Sequence, residues 1–153
     1  MSETQKIAEA YRAVTMQGAW YGPTVAELLV KISAEEATKR PVPGAHSISE
    51  LLQHLLLWND RVRKTAEGQP MPKWEAEKEW AEAPIAWNEL VMRWKQSRDL
   101  LEEKIRNFRD ADLGKQVPGR GYAYEELFPG IVQHTIYHSG QIAMVLSMVR
   151  RAR

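Results

Sequence analysis

Apolar residues recur three or four positions apart along nearly the whole chain, from Ile7, Tyr11 and Val14 onward, and they do not alternate with polar ones. That spacing puts them on one face of a helix and does not fit a half-buried strand. The expected fold class is all-α. A first helix should span about residues 4–17 and stop at Gly18 and Gly22-Pro23. Thr24 with Glu27 then forms a capping box for a short helix carrying Leu28, Leu29 and Ile32. Another short turn starts at Ser33, and Pro41-Val42-Pro43-Gly44 forces a loop. Ser47 with Glu50 caps a second long helix that should end near Gly68.

Residues 69–83 hold Pro70, Pro72, Trp74 and Trp80 without a clean period, which reads as an ordered crossover with its indoles on the core. A third long helix from around Pro84 should bury Trp87, Leu90, Val91, Trp94, Leu101, Ile105 and Phe108. After a connection at 110–121, the last helix should reach about Val149. Its inward stripe is Leu127, Ile131, His134, His138, Ile142, Val145 and Val149, and Pro129 predicts a break or kink between Phe128 and Gly130. Four long helices joined by short capped ones make a four-helix bundle, with residues 1–153 as one domain. The tryptophans fall mostly at helical core positions and read as packing rather than a cofactor box.

Charge narrows the functional classes. Twenty-one Lys and Arg against twenty Asp and Glu leave a formal charge of +1, with no dense basic block to track a phosphate backbone, so nucleic acid is not the expected partner. The absence of cysteine removes disulfides, thiolate ligands and cysteine nucleophiles together, and fits a reducing cytoplasm. The N-terminus lacks a signal-peptide pattern, and the longest apolar runs fall far short of the ~20 residues that span a bilayer, so neither export nor a membrane anchor is expected.

The chemistry-bearing pattern is His134-Thr135-Ile136-Tyr137-His138 in the last helix. An offset of four leaves the two imidazoles about 40° apart in projection, so both can ligate one ion without bending the backbone. Buried without an ion, the pair would leave two lone pairs and two N–H groups to satisfy. His54 lies at the border of the core stripe of the second long helix, beside Leu51, Leu55, Trp58 and Val62. Three imidazoles without a thiolate describe an open metal site; the competing reading is a set of hydrogen-bonded core or surface histidines. Gln141 either orients a metal-bound water or a ligand N–H, or simply faces solvent. Glu50 is explained as a cap, Arg61 as an anion holder or a solvated charge, and His46 as a loop residue.

The order Trp20-Tyr21-Gly22-Pro23, then Leu51-Leu52-Gln53-His54-Leu55, then His134-x-x-Tyr137-His138-x-Gly140-Gln141-Ile142 resembles the DinB-like (DinB/YfiT-type) superfamily through most of the chain. The resemblance implies a four-helix bundle with a divalent metal held by three histidines, matching His54, His134 and His138. Relatives with this N-terminal segment often carry histidine where Tyr21 stands, so the phenol is a helper candidate by hydrogen bonding only. The resemblance also implies a class of activity: a thiol-dependent S-transferase, or an isomerase using a low-molecular-weight thiol, acting on a small-molecule substrate. A hydrolase using the same ligands is the close competitor, and a stress-associated binding protein with a structural ion is the non-enzymatic one. Zinc, nickel and iron all suit imidazole and water, so the metal stays open. Reference histidine pKa values near ~6.5 predict metal affinity falling below about pH 6. Tyr137, Met144 and Met148 form a second apolar line on the last helix, from which a homodimer is expected.

Overall fold

The computed structural model describes residues 1–80 and 84–152. Its helices are α1 (Glu3–Thr15), α2 (Val25–Leu29), α3 (Ala34–Thr38), α4 (Ile48–Ala66), α5 (Trp87–Arg106) and α6 (Tyr124–Arg151), with no strand among the described residues. The long helices α1, α4, α5 and α6 close a ring in which α4 and α1 each pack on both α5 and α6. This is the all-α, four-helix bundle, with α2 and α3 as the short connecting helices.

Local chemistry sets the helix starts. Ser2, Thr24, Ser33 and Ser47 are N-caps in extended conformation, each paired with a Gln or Glu at the third helical position in a reciprocal capping box. At α4 the Glu50 amide donates to Ser47 Oγ at 3.2 Å, while Glu50 Oε2 accepts the Ser47 amide at 2.7 Å. Two otherwise unpartnered backbone donors are satisfied, which fixes where α4 begins. Its end is equally local. The Gly68 amide donates to the Thr65 carbonyl and the Gln69 amide to that of Lys64, with Gly68 at φ +96°, a conformation that favours glycine. A longer-range cap comes from Asp110, whose carboxylate accepts the Glu3 and Thr4 amides and the Thr4 hydroxyl. It ties the 110–121 connection to the start of α1.

Two apolar clusters fill the bundle. One joins α2, α3, Leu51, Leu52 and Leu55 of α4, Trp87 to Trp94 of α5, and the C-terminal half of α6 from Ile142. The other joins α1, Val62, Leu101 and Ile105, Leu113 and Val117, and the N-terminal part of α6 up to Ile131. His54 on α4, and His134 and His138 on α6, fall where the first cluster gives way to the second. A buried polar chain from three helices also belongs to the interior: Tyr11 Oη donates to Asn59 Oδ1, Asn59 Nδ2 to Ser97 Oγ, and Ser97 Oγ to the Trp94 carbonyl. Because each member has a partner, the chain links α1, α4 and α5 without leaving a buried group unsatisfied.

Three expectations need correction. First, α6 is not broken at Pro129 and runs through it as one helix. The proline forfeits the amide bond to the carbonyl of Glu125, an exposed residue, and crowds that carbonyl, while Tyr124, Leu127, Phe128 and Ile131 around it are buried. Packing of four large side chains outweighs one lost hydrogen bond. Second, the crossover does not place both indoles on the core. Trp74 is 66% exposed, between Lys73 and Glu75, and only Trp80 packs inward; residues 81–83 lie outside the described residues. A segment without periodicity has no continuous apolar face, so it touches the bundle at isolated anchors, here Met71 and the Glu79-Trp80 pair. Third, of the six tryptophans only Trp87 and Trp94 are buried core residues. Trp20 is fully exposed, and Trp58 and Trp80 are half-buried beside the histidines. Val91 on α5 is likewise only half-buried, and Phe108, also half-buried, lies beyond the end of α5.

The second apolar line of α6 faces outward, as its helical phase requires: Tyr137, Met144 and Met148 are 64%, 62% and 39% exposed. Among the described residues no helix is long and apolar enough to cross a membrane.

Candidate metal centre

The bundle brings together the three histidines that the sequence singles out. His134 and His138 are one turn apart on α6, and His54 reaches them from α4, 80 residues away in the chain. Nε2 of His134 lies 3.1 Å from Nε2 of His54 and 3.1 Å from Nε2 of His138. One ligand atom from each ring falls within 4.8 Å of the others.

Tautomers follow from the outer partners. His54 Nδ1 lies 2.8 Å from the backbone carbonyl of Glu79, which can only accept, so Nδ1 carries the proton and Nε2 presents a lone pair. His138 Nδ1 donates to Gln141 Oε1 at 2.6 Å, which exposes its Nε2 lone pair in the same way. Gln141 thus orients a histidine N–H, the more specific of its two expected roles. In the metal-free protein, His134 Nε2 can donate to only one of its two neighbours, so at least one lone pair stays unsatisfied. His134 Nδ1 is also buried without a hydrogen-bond partner among the described residues. Such a deficit in a buried layer is costly unless something answers the lone pairs.

A divalent ion fits that role. Zn–N bonds of about 2.0–2.1 Å place tetrahedral nitrogens roughly 3.3 Å apart, close to the two 3.1 Å separations from His134 Nε2. The donors are neutral at neutral pH. Burial, reinforced by the neighbouring imidazoles, pushes His134 down to about 3; burial pushes His138 down to about 4 against its hydrogen bond to Gln141. Burial also lowers His54, opposed by its hydrogen bond to the Glu79 carbonyl and the Glu79 charge. Three uncharged imidazoles with converging lone pairs are a group that can hold a metal ion.

Glu79, which sequence reasoning missed, is the main support of this arrangement. It is 3% exposed. Its carbonyl holds His54, its Oε1 accepts Arg61 Nη1 at 2.6 Å, and its Oε2 accepts Trp58 Nε1 at 3.0 Å. Arg61 is therefore occupied by Glu79, with its guanidinium 5.3 Å from the Trp58 ring centre, rather than offered to an anion. Trp80 was likewise placed only as a core indole. It stacks on His54 at 4.5 Å on one side and on His46 at 3.5 Å on the other. His46 is a loop residue as expected, but one that holds the crossover against the site. No periodic signal marks Glu79 or Trp80, because their partners lie on α4 and in the loop before it and not on neighbouring turns.

Tyr21, the remaining helper candidate, is 43% exposed in the loop before α2. Its phenol pKa is raised by burial and opposed by a hydrogen bond with Ser139, which places it beside α6 next to the His138 position. Glu50 is the α4 cap and pairs with Arg40, so it stands apart from the cluster. A cleft of ≈ 290 Å³ opens beside His134 and is walled by Trp58, Val62, Leu127 and Ile131.

Fold and site together define a helical bundle with a three-histidine cluster able to hold a divalent ion. Comparison with protein families matches residues 23–142 to the DinB superfamily, and the chain belongs to that family. No curated protein and no solved structure matches it.

Proposed function

We propose that this protein is a divalent-metal-dependent enzyme, with His54, His134 and His138 as its metal ligands, that activates a small thiol for transfer to a substrate. One observation carries the reading: three Nε2 atoms converge while the Nδ1–H groups of two rings are tied off by Glu79 and Gln141. Those outer bonds fix tautomer and ring direction, which metal-ligating histidines require. Bound there, a zinc, nickel or iron ion supplies Lewis acidity, lowering the pKa of a thiol or water and stabilising the anion formed. The chain's own contribution is position and exclusion. Trp80 and the Glu79 clamp hold His54 in place, and the apolar cleft beside His134 keeps water away from the body of a substrate. Among the described residues the cluster has three side-chain ligands and no fourth, which supports a coordination position for the nucleophile.

Metal analysis of freshly purified protein should return about one divalent ion per chain. The metal-loaded protein should consume a low-molecular-weight thiol in the presence of a generic electrophile at least about tenfold faster than His138→Ala, the lower end of what a positioned catalytic group contributes being larger still. Metal-dependent ester cleavage without thiol would instead assign a hydrolase. A stoichiometric ion with no turnover across thiols, electrophiles and esters would favour the non-enzymatic binding protein.

We also read the exposed line of Tyr137, Met144 and Met148 as the contact with a second copy of the chain. Sedimentation at micromolar concentration should show a dimer that Met144→Lys converts to monomer. A wild-type monomer under those conditions removes this assignment.

A further inference from the structure

Gln53 stands beside the ligand His54 in the chain but lines a different cavity. That cavity, of ≈ 200 Å³, lies against the first two turns of α4, where Ser49, Glu50 and Gln53 fall on one helical face, and its lining takes in Ser47, Thr38 and Arg40 as well. Two of its polar groups are buried without a partner. Gln53 is 7% exposed and Ser49 8%, and neither the Gln53 amide nor the Ser49 hydroxyl makes a hydrogen bond among the described residues. A buried amide in that state is costly until something supplies an acceptor for its N–H and a donor for its carbonyl. The charged groups, by contrast, are already matched. Arg40 pairs with Glu50 and donates to the Ala45 carbonyl at 2.6 Å, while Glu50 Oε2 accepts the Ser47 amide at 2.7 Å. The positive end of α4 therefore has its carboxylate already.

From these observations we propose that the cavity is a binding site for a small uncharged molecule carrying a primary carboxamide, which presents a donor and an acceptor side by side to Gln53. The Ser49 hydroxyl, able to donate or accept, supplies a further contact, and Pro84 offers apolar surface to the rest of the ligand. Size sets an upper bound. At roughly 30 Å³ per water in the liquid, ≈ 200 Å³ corresponds to a handful of waters, or to one ligand of a few heavy atoms. A ligand that reproduces the hydrogen bonds of the waters it displaces keeps their enthalpy and frees the rest. The assignment stands apart from the metal reading, because none of these groups belongs to the three-histidine cluster.

Butyramide, 2-pentanone and butyrate share one shape and differ only in the group beside the carbonyl: a donor, a methyl or a negative oxygen. Each is titrated into the full-length, nitrogen-15-labelled protein as purified, and the side-chain amide signals of Gln53 are followed by proton–nitrogen correlation spectra. Butyramide should shift those signals to saturation and bind at least about fivefold more tightly than either of the others, a factor equivalent to one hydrogen bond. Gln53→Met keeps the length and helical preference of the side chain and removes the amide. Read from the backbone signals of Ser49 and Glu50, it should weaken butyramide by a similar factor. Its melting temperature should equal or exceed that of the wild type, because an unpartnered buried amide has been replaced by a thioether. Ser49→Ala should weaken butyramide by a smaller factor, and it tests the site separately if Gln53→Met fails to fold. Absence of any Gln53 shift up to about 50 mM butyramide leaves the cavity to water and overturns the proposal. So does 2-pentanone or butyrate binding as tightly as butyramide, or shifts centred on His138 instead of Gln53, which would place the amide at the metal cluster. A destabilised Gln53→Met with butyramide binding unchanged would give Gln53 a packing role alone and overturn it as well.

Discussion

His54→Ala, His134→Ala and His138→Ala should each weaken divalent-metal binding by more than about 100-fold while leaving most of the helical circular dichroism intact. The size follows from the ligand set. Loss of an outer-shell partner alone typically costs ~10–100-fold, and each of these substitutions removes a ligand atom itself. Persistence of the helices follows from the two apolar clusters, which hold all four long helices without help from the imidazoles. Competition titration against a chelator of known affinity measures the first quantity, and far-ultraviolet circular dichroism the second. Tight binding retained by one variant would remove that residue from the site, and unfolding of all three would make the ion structural.

Metal-free protein should lose stability steadily as pH falls from about 6.5 towards 4. The unfolded chain's histidines take up protons near ~6.5, whereas folded His134 and His138 are held down at about 3 and about 4, and His54 is lowered as well. In that window the unfolded state binds more protons than the native one, so unfolding becomes easier as acid is added. The slope is at most about 1.4 kcal/mol per pH unit for each imidazole. Depressed carboxylates act lower. Glu36, brought to about 2 by its bonds to Arg150 and Ser33, has an ordinary value of 4.5, so its stabilising contribution is full above that value and is lost below it. Denaturant titrations from pH 7.5 to 4 should therefore show a slope that shrinks in His134→Ala and His138→Ala. A pH-independent wild type would contradict the burial of these rings.

The same depression corrects the pH dependence read from reference values. Protons compete with metal in the native protein only near the folded pKa values, so affinity should hold through pH 6 and fall towards the lower values of His134 and His138. Chelator competition at pH 7.5, 6 and 5 distinguishes this from a loss that begins at 6.

What the sequence determined by itself was what neighbouring residues decide among themselves. Capping boxes at Thr24, Ser33 and Ser47 act across three residues, and they marked the starts of α2, α3 and α4. The four-residue offset of His134 and His138 put both imidazoles on one face, His54 stood at the border of the α4 core stripe as the third candidate, and the likeness to the DinB superfamily implied the same three residues. The shape of the site was decided by contacts between segments far apart in the chain. That Glu79 would hold His54 by its backbone and Arg61 by its carboxylate, that Trp80 would stack between His46 and His54, and that Trp58 would wall a cleft depends on how the crossover lies against α4. Pro129 makes the same point in reverse: local sterics argued for a break, and the burial of Leu127, Phe128 and Ile131 kept α6 whole. Helix starts are settled by hydrogen bonds within one turn, whereas the burial that lowers an imidazole pKa or occupies an arginine exists only once the helices have packed.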